Sequence, residues 1–85
     1  RDAKDQFQYF KKDKINFSDA KLGDLHFFGS AKSISHVGFS LGEKKILHSQ
    51  GSVKIESLDK SRFDFNNELL DIYLSTHSIR RIFSS

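Results

Sequence analysis

The chain has 85 residues and a formal net charge of +3, from 14 Lys and Arg against 11 Asp and Glu. This length allows one small domain, and nine Phe and two Tyr supply most of the bulk for its core. These residues include no Cys, which excludes disulfides, thiolate metal ligands and a thiolate nucleophile within them. No apolar run is long enough to cross a membrane. The mild basic charge suits an anionic partner without specifying one.

The first half of the chain changes from a helical to a strand-like pattern. Residues 2–12 favour a helix, because Ala3, Phe7 and Phe10 follow i, i+4, i+7 spacing. Residues 13–23 are rich in turn formers and predict a connector. Short apolar or alternating segments then predict four strands and the turns between them, including a hairpin turn at 42–44. These strands cover residues 25–28, 35–42, 45–49 and 52–56.

The C-terminal third is less clearly patterned. Within residues 57–78, the segment NNELLDIYL favours either a short helix capped by Asn66 or Asn67, or an irregular loop packed on the sheet. IRRIF at 79–83 predicts a last strand. The fold class is therefore expected to be α+β, with an N-terminal helix followed by a small antiparallel sheet of five to six strands.

Four stretches carry recognisable motifs. They are RDAKDQ at 1–6, KLGDLHFFG at 21–29, ISHVGFSLGEKKILHSQGS at 34–52 and RRIF at 80–83. Together they resemble the NlpC family of papain-like cell-wall cysteine peptidases. RDAKDQ resembles the Arg-x-Ala-x-x-Gln segment that follows that family's catalytic helix, and KLGDLHFFG resembles its L-x-x-G-D-L-x-F-F segment. ISHVGFSLGEKKILHSQGS at 34–52 resembles its most diagnostic stretch, and RRIF at 80–83 its closing strand. GDL alone is a weak signal. SHVGF followed by a second His twelve positions downstream is a specific one.

The resemblance implies that residues 1–85 form the C-terminal portion of a single NlpC-type peptidase domain. It also implies a role for two histidines. His36 is expected to be the general base paired with a Cys, and His48 the polar residue that orients His36. The family's Cys lies upstream of the segment that Arg1 begins, so the nucleophile is absent from this chain and a second polypeptide segment carrying the Cys helix is expected as a partner. We also hypothesise that Arg1 is not the natural start of the gene product.

The resemblance further implies hydrolysis of peptidoglycan stem peptides at a γ-D-glutamyl bond to a diamino acid such as diaminopimelate. It implies a location in the bacterial cell envelope, periplasmic or secreted, and no cofactor. The alternative function is a non-catalytic module that binds cell-wall peptides and descends from the same fold. Nucleic-acid binding is not favoured, because neither a Gly-rich phosphate loop nor an aromatic RNA-binding signature is present.

The chemistry of such a site explains why two histidines are required. A nearby imidazolium and a helix N-terminus lower the thiol pKa to roughly 3–4 in papain-type sites. His36 begins one strand of the predicted hairpin and His48 ends the other, so the two are expected to lie roughly level at one end. His48 must be neutral to accept a hydrogen bond from His36. Activity is therefore expected to fall on acidification through roughly pH 6–7.

Other polar residues have less specific interpretations. An isolated strand histidine such as His36 is more often structural than catalytic, and only its context favours catalysis. His26 is expected to face solvent or a groove, and His77 to lie at the surface. No pair of histidines has the close spacing of a structural zinc site, so no metal is expected. Ser35 is expected either to contact substrate or to complete the strand pairing, and Asp24 to make turn or cap hydrogen bonds.

Overall fold

The computed structural model describes residues 3–83, except for the side chains of residues 50, 81 and 83. Within this range the chain forms two α-helices, six strands and three 3-10 helices. This confirms the α+β class, with a short N-terminal helix before an antiparallel sheet. The elements are α1 (Ala3–Tyr9), a 3-10 helix (Lys11–Asp13), β1 (Lys14–Ile15), a second 3-10 helix (Phe17–Asp19), β2 (Leu25–Ser30), β3 (Ser33–Gly42), β4 (Lys45–Gln50), β5 (Ser52–Ser57), α2 (Asn67–Asp71), β6 (Tyr73–His77) and a third 3-10 helix (Arg80–Phe83).

The six strands form one sheet in the order β1-β6-β2-β3-β4-β5. Every neighbouring pair is antiparallel. Strands β2 to β5 form a meander, since each pairs with the next strand in the chain. Strand β6 then returns to the free edge of β2 and separates it from β1. None of the helices within residues 3–83 is long and apolar enough to cross a membrane.

The last strand lies earlier in the chain than the sequence pattern predicts. The prediction of a strand at 79–83 is wrong, because Arg80–Phe83 forms a 3-10 helix. The strand is β6 instead, in which Ser75, Thr76 and His77 are buried although they are polar. Strand periodicity depends on contrast between a buried apolar face and an exposed polar one. A strand that buries polar side chains lacks this contrast.

Helix α1 covers one face of the sheet. It is shorter than the predicted 2–12, and residue 2 lies outside the described residues. Phe7 and Phe10 are buried and pack with Leu25 and Phe27 of β2 in one core cluster. The ring centroids of Phe7 and Phe27 are 5.3 Å apart, edge to face. The predicted apolar side of the helix is therefore the side that faces the sheet.

The second core cluster lies on the opposite face of the sheet. It contains the buried residues Phe28, Ile46, Leu58 and Leu69. Leu69 belongs to α2, which resolves the open choice between helix and loop in favour of a short helix. The helix begins after Asn66, whose side-chain Oδ1 accepts a hydrogen bond from the Leu69 N–H at 3.0 Å. Such a cap stabilises a helix by about 1 kcal/mol.

The turn between β3 and β4 sets the register on which the candidate site depends. Gly42 pairs with Lys45, and the two residues between them, Glu43 and Lys44, have φ of 52° and 65°. Positive φ at both central residues is typical of the two-residue turns that match the twist of antiparallel strands. This confirms the predicted hairpin. A bulge between Ser40 and Gly42 then shifts the pairing by one residue.

Asp24 joins the entrance of β2 to the C-terminal segment. Its carboxylate is 1% exposed and accepts hydrogen bonds from the Lys21 N–H at 2.9 Å and the Ile79 N–H at 3.3 Å. It also lies 3.4 Å from the Arg80 guanidinium. The expected turn and cap hydrogen bonding of Asp24 is confirmed.

Candidate functional site

The β3–β4 hairpin brings His36 and His48 into direct contact. His36 Nε2 lies 2.8 Å from His48 Nδ1, and the ring centroids are 5.0 Å apart at an interplanar angle of 77°. The expected level placement is wrong by two residues. Phe39 pairs with Leu47, so this register places His48 beside Gly38 and diagonal to His36. Diagonal neighbours across a strand pair remain within reach of long and aromatic side chains.

Gly38 provides the space for this diagonal contact. A Cβ atom at Gly38 would lie 2.6 Å from Ile46 Cγ2 and 3.4 Å from His48 Cβ. Gly38 lies between His36 and Ser40 on the same side of β3, the side that the His48 ring occupies. A side chain at this position would displace Ile46 or the His48 ring. The glycine of the Ser-His-Val-Gly segment therefore has a steric role in the site.

A carboxylate and an amide extend the histidine pair. Glu56 Oε1 lies 2.6 Å from His48 Nε2, and the Nδ2 group of Asn66 donates to both carboxylate oxygens of Glu56 at 3.0 Å. Four polar side chains thus form a continuous chain from β3 through β4 and β5 to the N-terminus of α2. Sequence reasoning missed Glu56 and Asn66 as site residues. A signal was available for Glu56, because the alternation in SVKIE places it on the opposite face from Val53 and Ile55.

The histidine pair is more enclosed at His48 than at His36. His48 is 4% exposed, whereas His36 is half-buried, with the Phe28 ring centroid 5.6 Å from its own. Burial, and repulsion from His48, lower the pKa of His36 below its usual 6.5. The accessible ring of His36 is therefore kept neutral, which is the state that can accept a proton.

Glu56 is the negatively charged member of this series of hydrogen-bonded side chains. Partial burial raises the pKa of Glu56, but hydrogen bonds from Asn66 and His48 and the positive charge of Lys54 outweigh it. The net result is a pKa below the usual value, so Glu56 is ionised at neutral pH. An ionised carboxylate only accepts hydrogen bonds.

Ser35 lies next to His36 but is tied to the sheet. Its side chain is exposed, and its hydroxyl donates to the Phe28 carbonyl oxygen at 3.3 Å. This contact crosses the bulge between Phe28 and Gly29, where β2 and β3 change register. Of the two roles expected for Ser35, the structure shows the one in which it completes the pairing between β2 and β3. A contact between Ser35 and substrate stays a prediction.

The other two histidines are buried, and both predictions of exposure are wrong. His26 is fully buried, with Nδ1 2.7 Å from Thr76 Oγ1, and His77 is 2% exposed. The Nδ1–H of His77 donates to the Phe10 carbonyl oxygen at 2.8 Å, and its Nε2 lies 2.8 Å from Ser75 Oγ. His26 is covered by the Phe17 ring beside β6, and His77, itself in β6, is covered by Phe7 of α1. No group of three His, Cys, Asp or Glu residues within 3–83 is arranged to hold a metal ion.

A cleft of about 450 Å³ opens beside the histidine pair. An apolar surface adjoins it, on the same face of the sheet as α1, since Phe39 pairs with Leu25 of the core cluster under α1. Phe39, Val53 and Ile55 are 46%, 72% and 56% exposed, and the register places Phe39, Leu47 and Ile55 side by side across three strands. We call Phe39, Leu47, Val53 and Ile55 the apolar strip. The cleft is lined by Ala3, His36, Val37, Phe39, Leu47, His48, Ser49 and Val53.

The comparison with known families gives one match. The family model described as the NlpC/P60 family matches residues 1–68. This range contains α1, strands β1 to β5 and both histidines of the pair. No curated protein matches the chain.

Proposed function

Because the chain belongs to the NlpC/P60 family, we propose that it forms the histidine-bearing part of a cysteine endopeptidase that hydrolyses peptidoglycan stem peptides. The family is one of cysteine peptidases and hydrolases that act at the cell wall. The observation that carries the proposal for this chain is the hydrogen bond between His36 and His48 at the cleft. We place the protein in the bacterial cell envelope, periplasmic or secreted.

In the proposed mechanism His36 is the general base and His48 orients it. His36 takes the proton from a cysteine thiol, and the thiolate attacks the carbonyl carbon of the scissile amide. The proton on His36 then passes to the departing amine, which leaves a thioester. His36 next takes a proton from water, whose oxygen attacks the thioester and releases the acid. His36 then returns its proton to the departing sulfur, which restores the free thiol. We propose the γ-D-glutamyl bond to a diamino acid as the scissile amide.

The cysteine must come from a segment outside these 85 residues, since they contain none. We propose that a helix carrying this cysteine packs on the apolar strip. Three of the four strip residues are exposed, which is a large apolar surface for a small soluble domain. The cleft at the edge of the strip includes His36 and His48 in its lining. A helix seated there would place its cysteine at the cleft that His36 lines.

The test is cleavage of a synthetic stem peptide by the complete protein that contains this chain and the cysteine segment. Mass spectrometry of the products identifies the broken bond. We expect His36→Ala to reduce turnover to near background, and Ser52→Ala, an exposed change at the start of β5, to leave it unchanged. Binding of the peptide without cleavage would instead support the non-catalytic wall-binding module and overturn the proposal.

A further inference from the structure

We propose that Glu56 is a positioning residue, which fixes the ring tautomers of His48 and His36 so that the free nitrogen of His36 faces the nucleophile. This inference rests on the proposed function and adds a residue to its machinery. The observation behind it is the unbroken order of contacts from Glu56 through His48 to His36. The family match itself says nothing of Glu56.

The direction of each hydrogen bond follows from the acceptor at the end of the chain. Ionised Glu56 has no proton to give, so His48 Nε2 carries the hydrogen in the 2.6 Å contact. A neutral imidazole has one N–H, so His48 Nδ1 is then an acceptor. His36 Nε2 must therefore donate in the 2.8 Å contact. The proton-free nitrogen of neutral His36 is therefore Nδ1, the one nitrogen of these two rings that takes no part in the two hydrogen bonds.

Without the Glu56 carboxylate, the direction of the hydrogen bond between the two histidines would not be fixed. Two neutral imidazoles in contact are equally satisfied when the hydrogen bond between them runs the other way, with His48 Nδ1–H donating to His36 Nε2. His36 then carries its proton on Nδ1 and cannot accept one from a thiol there. A single anionic acceptor at His48 Nε2 removes this unproductive arrangement. Loss of the carboxylate would therefore reduce activity in the same way as holding a catalytic histidine in the wrong tautomer.

The carboxylate is itself held in place. Asn66 donates to both Glu56 oxygens at 3.0 Å, and its own Oδ1 accepts the Leu69 N–H at 3.0 Å. The Asn66 N–H also donates to the Ser57 carbonyl oxygen at 2.9 Å. Because Leu69 is only 2% exposed, the amide is anchored to the core. Asn66 thus sets the position of Glu56 as Glu56 sets that of His48.

A purely structural role is the competing explanation. Glu56 and His48 lie on neighbouring strands, and their contact links β5 to β4. Those strands are already joined along their whole length, from Lys45–Ser57 to Gln50–Ser52. If the Glu56–His48 contact only tied the two strands together, its removal would lower stability and leave the ring tautomers unchanged. The two roles therefore separate in a measurement that observes the rings directly.

The test compares Glu56→Gln with Glu43→Gln in the complete protein. Gln keeps the shape of Glu56 but removes the charge and can turn an N–H towards His48. Glu43 lies exposed in the β3–β4 turn and controls for loss of a carboxylate. Long-range ¹H–¹⁵N spectra of the histidine rings report the tautomers, and steady-state kinetics on the stem peptide report kcat and KM.

We expect both rings to carry their hydrogen on Nε2 in the unmodified protein and in Glu43→Gln, with the spectra recorded after alkylation of the cysteine so that no thiol proton passes to His36. In Glu56→Gln we expect a mixture of tautomers at His48 and His36, with kcat reduced roughly 10- to 100-fold and KM little changed. If Glu56→Gln does not fold, Asn66→Ser serves instead. Serine keeps the helix cap and removes the amide that holds Glu56, and it should lower kcat by a smaller factor.

Unchanged tautomers in a folded Glu56→Gln protein would overturn the inference, as would a kcat equal to that of Glu43→Gln. The ring spectra do not depend on turnover. If the proposed function fails because no peptide is cleaved, the tautomer result still decides whether Glu56 orders the histidine pair. Failure of the positioning role and failure of the peptidase assignment are therefore distinguishable.

Discussion

Acidification is expected to destabilise the fold through His26, which lies fully buried behind the site. Its Nδ1 is bonded to Thr76 Oγ1, and its Nε2 has no hydrogen-bond partner within the described residues. Burial lowers the pKa of His26 from 6.5 to about 4, although the charge of Asp24 opposes the shift. The imidazolium form is therefore excluded from the folded state over more than two pH units.

The sign and size of the effect follow from proton linkage. Above pH 6.5 His26 is neutral in both states and contributes no pH dependence. Below pH 6.5 the unfolded chain binds a proton that the folded chain does not, so unfolding becomes more favourable as the pH falls. With a folded pKa of about 4, the loss in free energy of unfolding between pH 7 and pH 5 is about 2 kcal/mol. It approaches about 3 kcal/mol near pH 4.

His26→Phe isolates this contribution. Phenylalanine does not titrate, and the neighbouring Phe17 ring provides an apolar contact, with its centroid 5.0 Å from that of His26. The Thr76 hydroxyl keeps Tyr73 as a hydrogen-bond partner. Burial also lowers the pKa of His77 and of His36, but these groups titrate equally in both proteins.

The assay is denaturant unfolding of both proteins at pH 7 and pH 5, followed by circular dichroism. We expect the free energy of unfolding of the unmodified protein to fall by about 2 kcal/mol more than that of His26→Phe between the two pH values. Equal losses of unfolding free energy in the two proteins would contradict this prediction. They would show that His26 binds its proton as readily in the folded chain as in the unfolded one.

Three further predictions concern the site. Gly38→Ala should cost about 1–3 kcal/mol of stability by overpacking against Ile46 and should reduce turnover, and unchanged unfolding would contradict this. Ile55→Asp should weaken association of the cysteine helix in the complete protein. Leu22 is 76% exposed and lies outside the apolar strip, so Leu22→Asp should leave this association unchanged. Equal effects of the two variants in a binding titration would argue against the apolar strip as the docking surface. With the cysteine alkylated, the His36 ring should titrate below pH 6.5 by NMR, and a midpoint above 6.5 would contradict its lowered pKa. The expected loss of activity through roughly pH 6–7 stays a prediction.

The fold was readable from the sequence wherever apolar and polar residues alternate. The helix at the start and the strands β2 to β5 follow such patterns, and the turn at 42–44 was predicted from Gly42 and its polar neighbours. Strand β6 was not readable, because it buries polar residues that satisfy one another. Its omission also explains why His26 and His77 were placed at the surface. Strand β6 lies beside His26 in the sheet, and it carries His77 into contact with Phe7 and Phe27.

The site was readable in part. The spacing of His36 and His48 predicted that the rings would meet, and they do, but the diagonal geometry depends on a bulge at Ser40 that no sequence pattern indicates. Glu56 and Asn66 lie eight and eighteen positions beyond His48 and carry no motif. Only the pairing of β5 with β4 and the cap of α2 bring them to the histidine ring. Long-range partners of this kind are fixed by topology and not by local sequence.

His36 is proposed to act as the base of a cysteine peptidase. Stem-peptide hydrolysis by the complete protein and by His36→Ala, each with and without prior alkylation of the cysteine, tests this role. We expect cleavage at the γ-D-glutamyl bond by the untreated protein alone, with near-background turnover in the other three samples. Cleavage by His36→Ala, or by the alkylated protein, at the rate of the untreated protein would show that His36 is not the base of a cysteine peptidase.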